Sequence, residues 1–112
     1  MSQGVKIMNQ LNSLIIEGNL ENGKREEKAF KFSVACNRFY KDENGDGQNE
    51  TSFFDVECWG KLADLCEKHF QKGRGIRIVG RLKQNRWKDG CGKLHSKVIV
   101  IAEHVELKPR IK

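Results

Sequence analysis

Apolar and polar residues alternate one by one through most of this chain, which is the period of a half-buried β-strand and not of a helix. The alternation is cleanest from about Glu27 to Asn37. There Phe30, Phe32, Val34 and Cys36 face one side, and Lys31, Ser33, Ala35 and Asn37 face the other. Before it, about Asn12 to Leu20 sets Leu14, Ile16, Gly18 and Leu20 on one side. Glu21-Asn22-Gly23-Lys24 reads as the hairpin turn between these two strands, because Asn-Gly supplies the positive φ angles of a tight turn. Arg38-Phe39-Tyr40 leads into a polar, glycine-containing stretch, Lys41 to Glu50, expected to be a flexible loop. A third strand, Ser52 to Trp59, puts Phe54, Val56 and Cys58 opposite Phe53, Asp55, Glu57 and Trp59. The period then changes. Between about Lys61 and Gln71, Leu62, Leu65, Cys66 and Phe70 form the stripe of a helix lying on a core, with Gly73 suited to a left-handed cap after it. The fourth strand begins near Gly75 and extends to Trp87. Ile76, Ile78, Gly80 and Leu82 face one way; Arg77, Val79, Arg81, Lys83, Asn85 and Trp87 face the other. Asp89-Gly90-Cys91-Gly92 turns the chain into a fifth strand, about Leu94 to Leu107. Val98 and Val100 lie on one of its faces and Ile99 and Ile101 on the other, so part of it should be covered on both sides, a second subunit being one such cover.

The expected order is β-β-β-α-β-β. Strands in runs with one inserted helix do not suit a doubly wound parallel sheet. They fit an all-β fold, the five-stranded Greek-key barrel of the OB type with its helix between strands 3 and 4, a fold that binds oligonucleotides and oligosaccharides. A chain of 112 residues has the length of one domain. Residues 1–10 read as a loose arm, 11–107 as the barrel and 108–112 as a short basic end after which Pro109 stops regular structure.

Charge sharpens this. From Lys72 to Lys112 there are twelve Lys/Arg against three Asp/Glu, whereas Met1 to Gln71 holds nine against twelve. A basic half is the electrostatic footprint of a polyanion partner. On the fourth strand the cations share a face with the indole of Trp87. Charge for phosphates together with flat rings for bases is what single-stranded nucleic acid needs. Other chemistry is poorly supported. The four cysteines show no C-x-x-C pair and the three histidines are scattered, so no metal or other cofactor is expected. Cys36, Cys58 and Cys66 read as small core hydrophobes. Asp42, Asn44 and Asp46 imitate a calcium loop, but the twelfth position from Asp42 is Phe53 and helices do not flank it. No run of about 18 apolar residues exists to span a membrane, and the N-terminus lacks the apolar core of an export signal. No nucleophile–base constellation points to an enzyme.

The pieces then resemble, in order and along nearly the whole chain, the bacterial single-stranded DNA-binding protein family. Asn12-Ser13-Leu14-Ile15-Ile16-Glu17-Gly18-Asn19-Leu20 resembles its first strand and Phe32-Ser33-Val34-Ala35-Cys36-Asn37-Arg38 its second. Phe53-Phe54-Asp55-Val56-Glu57-Cys58-Trp59-Gly60-Lys61-Leu62-Ala63 resembles its strand-to-helix signature, and Ile76-Arg77-Ile78-Val79-Gly80-Arg81-Leu82 with Trp87-Lys88-Asp89 resembles its fourth strand and long hairpin. The resemblance implies base stacking on Tyr40, Phe53, Trp59 and Trp87, each of which keeps a ring at a family position. Core packing is the competing role for each ring. Arg77, Arg81, Lys83, Arg86 and Lys88, taken to cluster around Trp87, are the expected phosphate contacts. Lys31 and Arg38 are weaker candidates, and Phe39 is assigned to the core or a loop.

The resemblance further implies a cytoplasmic, nucleoid-associated homotetramer that protects single-stranded DNA in replication, recombination and repair. Phe54 stands where the family commonly has His at a subunit contact. The family's glycine-rich tail with an acidic tip has no counterpart before the chain ends at Lys108-Pro109-Arg110-Ile111-Lys112, so recruitment of partners through such a tail is not implied. Two alternatives carry the same fold: a primosome-type replication accessory protein and a cold-shock-like RNA-binding module.

Overall fold

The strand-forming alternation produces five strands, and a computed structural model describes them over residues 4–110. They are β1 (Leu14–Glu26), β2 (Ala29–Lys41), β3 (Gly47–Trp59), β4 (Gly75–Lys88) and β5 (Leu94–Leu107), with the helix α1 (Gly60–His69) between β3 and β4. The sheet closes into a barrel in the order β1-β2-β3-β5-β4. All neighbours are antiparallel except β3 and β5, which meet in parallel through Val56 with Val100 and Glu57 with Ile101. One face of each strand fills the barrel. Val34, Val56, Cys58, Ile76 and Ile78 are essentially inaccessible to solvent, and burying such a side chain is worth about 1.5–3 kcal/mol. Gly18 and Gly80 lie where strands press together: a Cβ on Gly18 would strike the Ala35 carbonyl, and one on Gly80 the Ile101 carbonyl. Side-chain-free positions of this kind are where a strand bends or another backbone approaches closely.

Several elements depart from the sequence pattern. Asn22-Gly23 is not the hairpin turn. It forms an irregularity within β1, where the register with β2 shifts between Glu21 and Lys24. The turn is Glu27-Lys28, with φ +52° at Glu27. A Glu is tolerated there because Arg25 Nε donates to the Glu27 carbonyl at 2.8 Å, while its Nη1 pairs with Asp64 of α1 at 2.9 Å. The expected loop over 41–50 shrinks to residues 42–46, because β2 and β3 pair all the way out to Lys41 with Gly47. Asp42 organises that turn, accepting from the backbone N–H groups of Asn44 and Asp46, each at 2.9 Å, and from Gln48 Nε2 at 3.0 Å.

The helix ends at His69 with Phe70 already extended. Gly73 (φ +86°) is therefore not its cap. It sits third in a turn closed by Arg74 N–H to the Gln71 carbonyl at 2.9 Å, the position of a type II turn that demands positive φ. Ala63 and Cys66 are the helix's buried positions, with Leu62 and Phe70 packed beside them. Leu65 is exposed, so the stripe is rotated from the expected one. In β5 the register slips between Ala102 and His104, leaving Glu103 as an extra residue opposite Val79/Gly80. The bulge lets Val100 and Ala102 before it, and Val105 and Leu107 after it, all join the core. Ile99, Val100, Ile101 and Ala102 are all buried within this single chain and need no second subunit to cover them, whereas Val98 is exposed.

Arg74 is a buried cation, its Nε donating to the Lys108 carbonyl at 2.7 Å and its Nη1 to the His69 carbonyl at 2.9 Å. It ties the ends of α1 and β5 together. The Sγ atoms of Cys58 and Cys66 lie 3.4 Å apart in the core under α1. The neighbouring sulfur and burial together push the Cys58 thiol far above its ordinary value, so it stays protonated. Beyond Cys36 and beyond Gln84 the β2–β3 and β4–β5 pairs leave the barrel as arms with exposed faces. The radius of gyration, 17.9 Å, reflects them, since a compact chain of about 100 residues has about 13 Å. Residues 5–13 have no regular structure, but Asn12 docks on β4: its Nδ2 donates to the Leu82 carbonyl at 2.8 Å and its Oδ1 accepts from Leu82 N–H at 2.9 Å. The expected arm over 1–10 and basic end over 108–112 lie partly outside the described residues.

Candidate nucleic-acid interface

Residues directly opposite on paired strands share a face. Phe53 on β3 opposes Ala35 on β2, and Trp59 opposes Ala29, so both rings stand on the outer side of the barrel. Neither joins the core: Phe53 is 66% and Trp59 51% exposed. On β4 the outer positions are Arg81, Lys83, Asn85 and Trp87, and Trp87 is 47% exposed. The three rings therefore line the same side of a sheet running from β2 through β3 and β5 to β4. A groove across it is lined by Asn22, Lys24, Lys31, Asp55, Lys97 and Asn85, among others. The β2–β3 face of an OB barrel, with the loops joining strands 1–2 and 4–5, is where such folds hold oligonucleotides.

Tyr40 does not share that face. Two residues from Arg38 and of opposite parity to Ala35, it points to the reverse side of the β2–β3 arm, with the Arg38 guanidinium carbon 4.9 Å from its ring centroid. Phe39, assigned from sequence to core or loop, is neither. It is on strand β2, strongly exposed, and of the same parity as Ala35, whose partner is Phe53. Extending the alternation of β2 by two residues would have found it; the polar run after Lys41 hid how far the strand continues.

The cations divide. Arg77 lies ten positions before Trp87, about 33 Å along a strand, and is not part of a cluster around it. Its Nε donates to Glu17 at 2.6 Å, and its guanidinium also approaches Glu106 at 3.8 Å. Each partner shifts the other: the Arg77 guanidinium holds the Glu17 carboxyl below its ordinary value, and Arg77 rises. Arg86 and Lys88 alternate with Trp87, so they lie on the other face of the arm. Arg86 Nη2 donates to Gln84 Oε1 at 2.9 Å, two residues away on that same face. Arg81 approaches Glu103 at 3.8 Å. Lys83 and Lys88 make no ion pair among the described residues. Lys31 and Lys97, on the outer face, are held by carboxylates: Lys31 by Glu26 at 2.7 Å and Glu57 at 3.5 Å, Lys97 by Asp55 at 2.6 Å. The Lys31 ammonium lowers Glu26 and is itself raised by it. The Lys31–Glu26 and Lys97–Asp55 pairs are solvent-exposed and cost little to exchange for phosphate, because exposed ion pairs are worth about 0–1 kcal/mol, whereas the Glu57 carboxylate is buried.

Among the described residues no group of three or more His, Cys, Asp or Glu side chains could hold a metal ion, and no helix is long and apolar enough to cross a membrane.

Residues 11–108 match the Single-strand binding protein family. The chain is similar to the single-stranded DNA-binding protein of Aquifex aeolicus, with 46% identity over 77 residues, 69% of this chain and 52% of that protein. It is similar also to single-stranded DNA-binding protein 2 of Chlorobaculum tepidum, with 29% identity over 106 residues, 88% of this chain and 72% of that protein. The chain thus spans about half the length of the first of these relatives. In three dimensions it resembles the Plasmodium falciparum SSB in complex with ssDNA, with a TM-score of 0.78 at 20% identity, covering 93% of this chain and all of that one. It resembles the small single-stranded DNA-binding protein of Streptomyces coelicolor as well, with a TM-score of 0.66 at 20% identity, covering 90% of this chain and 96% of that one. These two likenesses establish the fold.

Proposed function

The chain belongs to the single-strand binding protein family, and from that premise we propose that it binds single-stranded DNA without sequence preference. The observation that carries this is the placing of three solvent-exposed rings, Phe53, Trp59 and Trp87, on one outer sheet face that also bears lysines. A solvated ring on a barrel's outside gains nothing from the core. It is available to the π face of any base, and stacking is indifferent to sequence. Phosphates follow Lys31, Lys97, Arg81 and Lys83 along the groove. Arg86 and Lys88 meet backbone that passes over the edge of the β4–β5 arm, Tyr40 takes a base where the strand rounds the end of the β2–β3 arm, and Arg77 contributes only after giving up Glu17. The protein works by occupancy and protection of exposed strands during replication, recombination and repair, in the cytoplasm where a bacterial chromosome lies, and it performs no chemistry.

A homotetramer is part of the proposal. Ile15, 71% exposed, stands opposite Val79 on the outer side of the β1–β4 pair, and Phe54 is exposed at the barrel rim. These apolar groups are suited to a second copy of the chain.

The test is a fluorescence titration with oligo(dT) and with duplex of equal length at two salt concentrations, since Trp59 and Trp87 are the only tryptophans. Quenching by the single strand alone, weakened by salt as counterions re-bind, is expected. Equal response to duplex, or none to either, overturns the reading. Competition by oligo(U) at equal affinity would favour RNA as the ligand instead.

A further inference from the structure

His95 on β5 stands directly opposite Trp87 on β4. The two rings are stacked, with centroids 5.4 Å apart and planes inclined by 15°. The imidazole is also held at its edge. Its Nε2 lies 2.7 Å from Asp89 Oδ2, in the turn that joins the two strands. Asp89 is fixed in turn, since its Oδ1 accepts from the backbone N–H groups of Cys91 and Lys93, each at 2.9 Å. The carboxylate is held below its ordinary range by His95 and these N–H groups.

None of this serves the barrel core. Trp87 and His95 are both partly open to solvent, out on the arm. The charges near the imidazole are Asp89 in contact and Lys97 two residues further along its face and paired with Asp55, while Arg86 lines a shared recess from the other face of the arm. Lys88 and Lys93 flank the turn. Apart from Asp89 and the Asp55 that holds Lys97, these charges are cationic.

We propose that His95 is a second nucleic-acid-contacting ring. It holds the Trp87 indole as one half of a two-ring platform for a base, and as imidazolium it supplies a cation beside the phosphates of the strand stacked there. This rests on the single-strand reading of the Trp87 face. Two physical effects follow. A ring already held by a stacked neighbour loses less freedom when a base arrives, so binding is tighter at any pH. In addition, an imidazole changes charge between about pH 5 and 8. When it is neutral, Asp89 presents an unbalanced negative charge to the DNA; when it is protonated, the pair is neutral and the approaching phosphates meet one more positive charge. One further counterion is then released, which steepens the slope of log affinity against log salt by about 0.7.

The experiment measures anisotropy of labelled oligo(dT), whose thymines stay neutral throughout, with the wild type, His95→Phe and His95→Ala across a salt series at about pH 5.5 and 8. The wild type is expected to bind several-fold more tightly at the lower pH with the steeper slope. His95→Phe keeps a stacked ring, so it should match the wild type at the higher pH and show no gain at the lower. His95→Ala should bind several-fold more weakly at both. A pH gain in His95→Phe equal to that of the wild type, or wild-type affinity of His95→Ala at both pH values, overturns the proposal while leaving the single-strand reading standing. Failure of the wild type to bind oligo(dT) at either pH overturns that reading and this proposal with it.

Discussion

Trp87 illustrates how one side chain's role depends on the parity of its strand. Ile76 and Ile78 on the same strand are fully buried, yet Trp87, odd-numbered like Arg81 and Lys83, stands outside. Trp87→Ala should therefore weaken oligo(dT) binding by about 1–3 kcal/mol, with an unchanged unfolding midpoint. A mutant that unfolds would show that the ring belongs to the fold, and one that binds normally that the ring does not contact the strand. Gly18 is the converse case, a residue whose importance is steric. Its missing Cβ leaves room for the Ala35 carbonyl and the Val34 side chain. Gly18→Ala must push a backbone apart, and overpacking of this sort costs about 1–3 kcal/mol. A thermal melt lowered by several degrees, with single-strand affinity per folded molecule retained, is the expected result. That the rings at 53, 59 and 87 face away from the core was legible from alternation. Phe39 was not, because its exposure depends on β2 continuing past the point where its apolar residues stop. Nor was the reverse-face position of Tyr40, since a family position carries the ring type but not its side of the strand.

At the scale of elements, β5 was read to its observed bounds despite its bulge and β4 to within one residue, whereas β1, β2 and β3 each extend beyond the segment whose apolar residues alternate. Asn22-Gly23 has the chemistry of a hairpin turn, yet the pairing of Lys24, Arg25 and Glu26 with β2 outlasts it. The true turn at 27–28 owes its place to Arg25, which joins the Glu27 carbonyl to Asp64 and Glu67 on α1. That is a long-range bond invisible to a local turn rule. The 42–46 turn is the opposite case: a local side chain, Asp42, does the work. Asp42→Ala should speed amide hydrogen exchange over residues 43–48. It should leave exchange in the barrel strands and the global melt nearly unchanged, because this turn caps an arm outside the core. Loss of protection in β1 or β4 would mean that the arm and barrel fold as one unit.

For the molecule as a whole, electrostatics sets the working conditions. Glu17, Glu26, Asp42 and Asp89 all titrate below their ordinary values, through bonds from Arg77, Lys31, the 42–46 turn and His95 respectively. A carboxyl depressed in the folded state contributes stability above its unfolded value and loses it as pH falls through the folded one. The melt should be flat from neutrality to about pH 5 and decline below the ordinary values of 4.5 for Glu and 3.8 for Asp, as differential scanning calorimetry across that range would record. A decline beginning near pH 6 would mean instead that histidine charging governs stability.

Alternation with period two, broken once by a helical stripe, was enough to specify five strands, one helix and an OB-type barrel, because side-chain burial in a sheet is a local, two-sided matter. The excess of cations after residue 72 and the exposed ring parity were equally local, and together they pointed to single-stranded nucleic acid. Closure of the barrel settled the remainder. It placed the Glu103 bulge and the Arg25 and Arg74 anchors, buried all four residues from Ile99 to Ala102, and drew Arg77 away to Glu17. The stack of His95 on Trp87 came from the same source. Each of these depends on which residue a distant strand brings opposite, and a register between strands is set by the packing of the whole sheet, not by the segment that reads it.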